Sequence, residues 1–189
     1  MAWVLAEVAE TRQVIVFTHD DRLPAAMRYL DLPGRVIQVT RQTESVIDIQ
    51  SAGDPSAQYL GDAGKLAVNT SVPKVVAARV IPGLCRSGIE SACHDIVRSR
   101  RLSRGDSHQS VEAAIEEVTT VVTCLALAIF DDSTKGGDVY GWLNSQIGAW
   151  ATNAVKTCNT GAHADAGVDM GELVGAVRKI VEKVREKLP

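Results

Sequence analysis

Apolar residues recur at two different periods along this chain, and the place where the period changes divides it. In residues 2–10, Trp3, Val4, Leu5 and Val8 recur at helical spacing and predict a short amphipathic helix. Val14, Ile15, Val16 and Phe17 then form an unbroken apolar run that closes in Thr18-His19-Asp20, so residues 13–18 predict a fully buried strand that hands over to a helix. Asp20 can cap that helix, and Pro24 falls in its first turn, where the missing N–H costs little. Val36, Ile37 and Val39, then Val46, Ile47 and Ile49 across a polar stretch, predict two short strands in a hairpin.

Gly53-Asp54-Pro55 marks a boundary, and beyond it the β-type pattern fades. Val75, Val76, Val80 and Leu84, followed by Ile89, Ala92, Cys93, Ile96 and Val97, recur at helical spacing, and Pro82-Gly83 is expected to start or kink the helix that carries Arg86 to Arg101. Asp106 with Gln109 predicts a capping box for a helix running to about Phe130. Residues 131–137 predict a loop, and Asp138 a cap for a helix over 139–158. A turn is expected at 159–167, and Asp169 with Glu172 predicts a capped final helix to Lys187. The predicted fold class is α/β plus all-α: residues 1–52 as a partial α/β segment (helix, strand, helix, two strands), and residues 53–189 as a bundle of four or five helices.

Composition is that of an ordinary globular chain: 189 residues, 46% hydrophobic and 23% charged, with a formal net charge of −3. Its distribution is uneven. Residues 73–104 hold seven Lys/Arg against two Asp/Glu, whereas residues 105–172 hold two against ten, so only the first stretch favours phosphate. The four cysteines lack C-x-x-C spacing and no secretory leader pattern opens the chain, so a reduced, cytoplasmic protein is expected. The longest apolar stretch, residues 118–130, falls short of the ~20 residues of a spanning helix, and no membrane role is expected.

Several short strings carry no chemistry on inspection. Gly61-Asp62-Ala63-Gly64-Lys65-Leu66 has the wrong spacing for a phosphate-binding loop and a leucine where the Mg²⁺ hydroxyl belongs. The chain is therefore not expected to be a self-sufficient ATPase. Leu102-Ser103-Arg104-Gly105-Asp106 reads as a helix end, a turn and a cap. Buried thiols are the expected state of the cysteines, with no metal and no cofactor, because structural zinc requires four donors in a tetrahedron. Trp142 and Trp150, with Leu143 and Ile147, form a helical stripe expected to be core.

The run Val14–Phe17 ending in Thr18-His19-Asp20, with a helix before it and two short strands after, resembles the H-switch region of SMC/RecF-like and other ABC-type ATPases over about residues 3–50. That resemblance implies a nucleotide-sensing role for His19. Without the phosphate loop and acidic strand the role is expected to be vestigial, and the chain is expected to be a truncated C-terminal region of such an ATPase.

Arg86-Ser87-Gly88-Ile89-Glu90 places a guanidinium and a carboxylate on one helical face, with Cys93 and His94 near the same stripe, and Cys158-Asn159-Thr160-Gly161-Ala162-His163 brings out a second imidazole. Helices presenting Arg, Glu and His together resemble the HEPN superfamily, and more narrowly the C-terminal domain of anticodon-nuclease-type proteins. The resemblance implies a metal-independent endoribonuclease acting in phage defence or nucleic-acid metabolism, with Arg86, Glu90 and His163 catalytic. Cys158 stands where the Arg-x-x-x-x-His motif of that superfamily has its arginine. The chemistry fits the side chains: His163 and Glu90 exchange protons with the 2′-hydroxyl and the leaving 5′-oxygen, while Arg86 holds the phosphorane. Arg98, Arg100, Arg101 and Arg104 are the expected contacts to the RNA backbone.

Simpler readings stand beside these. Arg86–Glu90 can be a structural ion pair, the arginine run a solvated helix end, and His163 a cap. The alternative function is a non-catalytic protein-interaction or regulatory module, or an inactive remnant. An apolar strand lacking neighbours predicts either a homodimer or a complex with an ATPase partner chain.

Overall fold

A helix-rich chain with one small hairpin emerges in the computed structural model, which describes residues 2–20, 22–30, 32–41, 47–51, 54–160 and 168–187. Two units form, Met1–Gly53 and Asp54–Pro189.

In the first unit, α1 (Ala2–Ala9) and α2 (Arg22–Tyr29) precede strands β1 (Ile37–Arg41) and β2 (Ile47–Ser51), paired antiparallel with Val39 opposite Ile49. The Asp20 carboxylate accepts the backbone N–H of Arg22 at 2.8 Å, so the expected cap is in place. Residues 13–18 are a correction: they form no strand and pair with no strand among the described residues. A strand exists only through its ladder, and the hairpin strands pair with each other. The apolar run instead has no regular structure and is largely open to solvent, with Phe17 94% exposed. Thr18 closes it, its hydroxyl accepting the Asp20 N–H at 2.9 Å.

Seven α-helices, among the described residues, build the second unit: α3 (Pro55–Val68), α4 (Lys74–Ser103), α5 (His108–Glu116), α6 (Val121–Phe130), α7 (Gly136–Gln146), α8 (Ala149–Thr160) and α9 (Met170–Arg185). The central element is α4, which touches α3, α5, α6, α8 and α9. Its inner stripe of Ile81, Cys85, Ile89, Ala92, Cys93, Ile96 and Val97 is buried at the spacing the sequence displays. The helix runs through Pro82 without ending, so Pro82-Gly83 does not start a new one. Arg178 of α9 donates to the Leu60 carbonyl at 3.0 Å, and Arg185 pairs with Asp54, the N-cap of α3, so both the start and the middle of α3 are tied to α9.

Two helices expected to be continuous are broken. Thr120 and Thr123 form a reciprocal capping box that starts α6 afresh after α5, whose own cap is Ser107 rather than Asp106. Gly148, at φ 132°, separates α7 from α8, so Trp142 and Trp150 lie on different helices. Trp142 packs against the core, while Trp150 is 40% exposed beneath the Lys179 ammonium. The cap at Asp169, accepting the Glu172 N–H at 3.0 Å, is as the sequence predicts. Among the described residues no helix is long and apolar enough to cross a membrane.

Candidate functional site

One half-buried stripe of α4 gathers most of the chemistry. Arg86 and Glu90 lie one turn apart, and Arg86 Nε donates to Glu90 Oε1 at 2.8 Å while its Nη2 donates to the Thr119 carbonyl at 3.1 Å. A guanidinium anchored at two points is held in a fixed plane, and both side chains keep roughly a third of their surface in water, 36% and 27%. The next turns of the stripe bring His94 and then Arg98.

Opposite this stripe, α6 contributes Cys124 in its first turn. Its thiol donates to the Glu90 carbonyl at 4.0 Å. The hydrogen bond from Cys93, with support from His94, outweighs burial and pushes the Cys124 thiol down to about 6. The same bond and deep burial push Cys93 the other way.

The basic run is largely engaged. Arg98 binds Glu112 of α5 through two bonds of 2.6 Å each, and His108 Nδ1 stands 3.9 Å from the same carboxylate. Arg101 Nε meets Asp131 Oδ1 at 2.7 Å, and Arg104 reaches Asp131 at 2.8 Å and Asp106 at 2.9 Å. Arg100 differs, since it donates to the Lys187 carbonyl at 3.3 Å and meets no carboxylate among the described residues. The hydrogen bonds from Arg98 hold the Glu112 carboxyl below its usual range, aided by His108 and His94 against the cost of burial. Burial raises the Asp131 carboxyl, but Arg104 and Arg101 outweigh it and the net displacement is downward.

His163 lies outside the described residues. Its helix ends at Thr160, and two residues before that end the Cys158 thiol is buried. Interaction with the Cys85 thiol, with burial, pushes Cys158 upward. All four cysteines are free and buried.

His19 is exposed and follows the open segment 13–18 rather than a strand end. Gly61 to Leu66 fall inside α3, where helical geometry leaves no phosphate-cradling loop. Arg104 is the C-cap of α4 and Gly105 takes φ 94°, so Leu102 to Asp106 form a helix end and turn. No group of three or more His, Cys, Asp or Glu suited to holding a metal occurs among the described residues.

Of the functional groups brought together here, the sequence spacing displays Arg86, Glu90 and His94, all from one helix. Thr119, Cys124 and Glu112 come from later in the chain and leave no local signal. No protein-family model, curated protein or solved structure matches the chain.

Proposed function

We propose that the helical unit carries a HEPN-like RNA-binding or RNA-cleaving centre at Arg86 and Glu90, on a chain whose first unit corresponds to the C-terminal portion of an SMC/RecF-like ATPase lobe. The observation that carries this reading is the Arg86–Glu90 pair itself, ion-paired at 2.8 Å, braced on Thr119 and still open to solvent. In that position Arg86 binds the non-bridging oxygens of a phosphodiester, Glu90 takes or returns a proton, and His163 supplies the second proton-transfer group. The packing of α8 on α4 agrees with the assignment, because His163 follows α8 in the chain. Within the basic run, Arg100 is the residue best placed for an RNA phosphate. The role fits defence against phage or nucleic-acid metabolism, with an ATPase partner chain.

Incubating the chain with tRNA in excess EDTA tests this. The reading expects cleavage that Glu90→Gln and Arg86→Ala each abolish, whereas no cleavage and no retention of tRNA, or cleavage indifferent to both substitutions, rejects it.

A second reading, a protein-interaction module, draws on the first unit. Ile37, Val39, Ile47 and Ile49 share one face of the hairpin and are 49% to 67% exposed, while Trp3, Ile15 and Phe17 are also open. So many uncovered apolar groups favour association. A homodimer, or a stable complex with an ATPase chain, is the expected state, and a sharply monomeric mass at micromolar concentration counts against a homodimer.

A further inference from the structure

The outward face of α8 carries no negative charge. Residues 139–160, which hold all of α8 and most of α7, contain no Asp or Glu, and Lys156 is their one charged side chain. The carboxylates of the acidic stretch 105–172 fall before and after them in the chain. Trp150, Asn153 and Lys156 are exposed and stand at i, i+3 and i+6, so they wind across that face in one row.

The cations beside this row rest on rings rather than on acids. Lys156 Nζ lies 5.3 Å from the Tyr140 ring centre on the α7 side, and Lys179 Nζ of α9 lies 5.7 Å from the Trp150 ring centre. Arg98, Arg101 and Arg104 of α4, by contrast, are each held by a carboxylate. Trp150 itself is firmly placed although 40% exposed. Its ring edge lies across Gly148, where a Cβ would stand 3.0 Å from Nε1 and 3.3 Å from Cδ1, and Gly148 takes φ 132°. Just past the end of α9, Lys187 lies 6.0 Å from the Trp142 ring centre and its carbonyl receives Arg100. The cations of α9 thus lead from Trp150 toward Arg100.

We propose that this face binds single-stranded RNA, with a base stacked on Trp150 and neighbouring phosphates held by Lys179 and Lys156. The choice of RNA rests on the reading given under the proposed function, but the contacts are new. An exposed indole offers a stacking surface to any unpaired base, and an ammonium without a carboxylate partner meets phosphate without first breaking an ion pair. Lys179 gives up the ring as the base takes it, since an exposed cation–π contact is weaker than base stacking, and its ammonium moves to the adjoining phosphate. Asn153, between the indole and Lys156, presents an amide to a base edge or a sugar hydroxyl. A duplex, whose bases are already stacked on one another, cannot use the indole in this way.

Titration of the full chain with an oligouridylate of about 12 nucleotides, read by filter retention and by tryptophan emission, tests this. The proposal expects retention at low salt with partial quenching of the emission, and weaker retention of a uridylate–adenylate duplex of equal length. Trp150→Ala should weaken binding roughly tenfold, while Trp150→Phe, which keeps a ring for stacking, should restore most of the affinity and remove the quenching. Lys156→Ala and Lys179→Ala should each reduce the slope of log K against log salt by roughly 0.7, one phosphate contact on a single strand. No retention of the oligonucleotide by the unaltered chain, equal affinity for the duplex, or an affinity indifferent to Trp150→Ala and to both lysine variants overturns the proposal. Cleavage of tRNA that depends on Arg86 and Glu90, without oligonucleotide binding, rejects this face alone. Oligonucleotide binding through Trp150 without any cleavage upholds the face and confines the failure to the cleaving centre.

Discussion

Arg98 of α4 grips Glu112 of α5 through two parallel bonds of 2.6 Å, and both side chains keep less than a third of their surface in water. The pair is a two-point polar tie between a long central helix and a short one of nine residues that buries only Val111 and Ile115. Charge-assisted, two-point bonds are stronger than ordinary surface ion pairs, although partial exposure screens them. A double-mutant cycle with Arg98→Ala and Glu112→Ala is expected to give a coupling of about 1 kcal/mol in urea unfolding. A coupling near zero would mean that the apolar contacts alone hold α5.

The same carboxylates predict how acid acts. Glu112 and Asp131 are both held below their usual range, so each contributes stability above the unfolded-state pKa and loses it as pH falls through the lower folded-state value. Their contribution should therefore be lost as pH falls below about 4. Asp131 also takes φ 58°, a conformation that asparagine tolerates. Asp131→Asn should thus leave the turn intact, lower the melting temperature at pH 7, and make the acid decline shallower, as thermal melts at stepped pH would show.

Close packing of α3 on α4 depends on the absence of a side chain at Gly88. A Cβ there would stand 2.8 Å from Leu60 Cδ2 and 2.9 Å from its Cγ, and Leu60 is itself buried. Alanine normally improves a helix interior, but here the clash is with the branch point of a confined side chain. Gly88→Ala is expected to destabilise by about 1–3 kcal/mol. Gly83, on the same helix, provides the contrast, because a Cβ added there would meet nothing within 4 Å. Gly83→Ala should be neutral or stabilise by up to about 1 kcal/mol.

How far the sequence reveals this molecule depends on the range of the interaction involved. The caps at Asp20 and Asp169, the hairpin and the buried stripe of α4 are local patterns, and the structure follows them. The breaks between α5 and α6 and between α7 and α8 were hidden. Thr120 and Thr123 look like interior β-branched residues until their side chains cap each other, and Gly148 lies inside a continuous apolar stripe. Residues 13–18 have the composition of a strand, but composition cannot supply a ladder partner. At the site, Arg86 and Glu90 were legible because one helix sets their spacing. Cys124, Glu112 and Asp131 were not, because only the packing of α5 and α6 on α4 brings them to the stripe. The basic run was legible as charge, yet its partners were invisible, and so its appearance as an open phosphate grip was misleading for Arg98, Arg101 and Arg104.

That difference in pairing separates the arginines in an RNA-binding assay. Arg100 donates only to the Lys187 carbonyl at 3.3 Å among the described residues, so turning toward a phosphate breaks no ion pair. For Arg101 and Arg104 the same movement strips charge from Asp131, which would then repel the incoming phosphate. Arg100→Ala is therefore expected to weaken tRNA retention and to reduce the slope of log K against log salt by roughly one unit, the signature of one lost phosphate contact. Arg101→Ala should lower the melting temperature while leaving that slope nearly unchanged. Filter binding across a salt series, with a thermal melt of each variant, measures both quantities. If the slope falls for Arg101→Ala and not for Arg100→Ala, the ion pairs of Asp131 open on binding and RNA is held by the residues that they engage in the free protein.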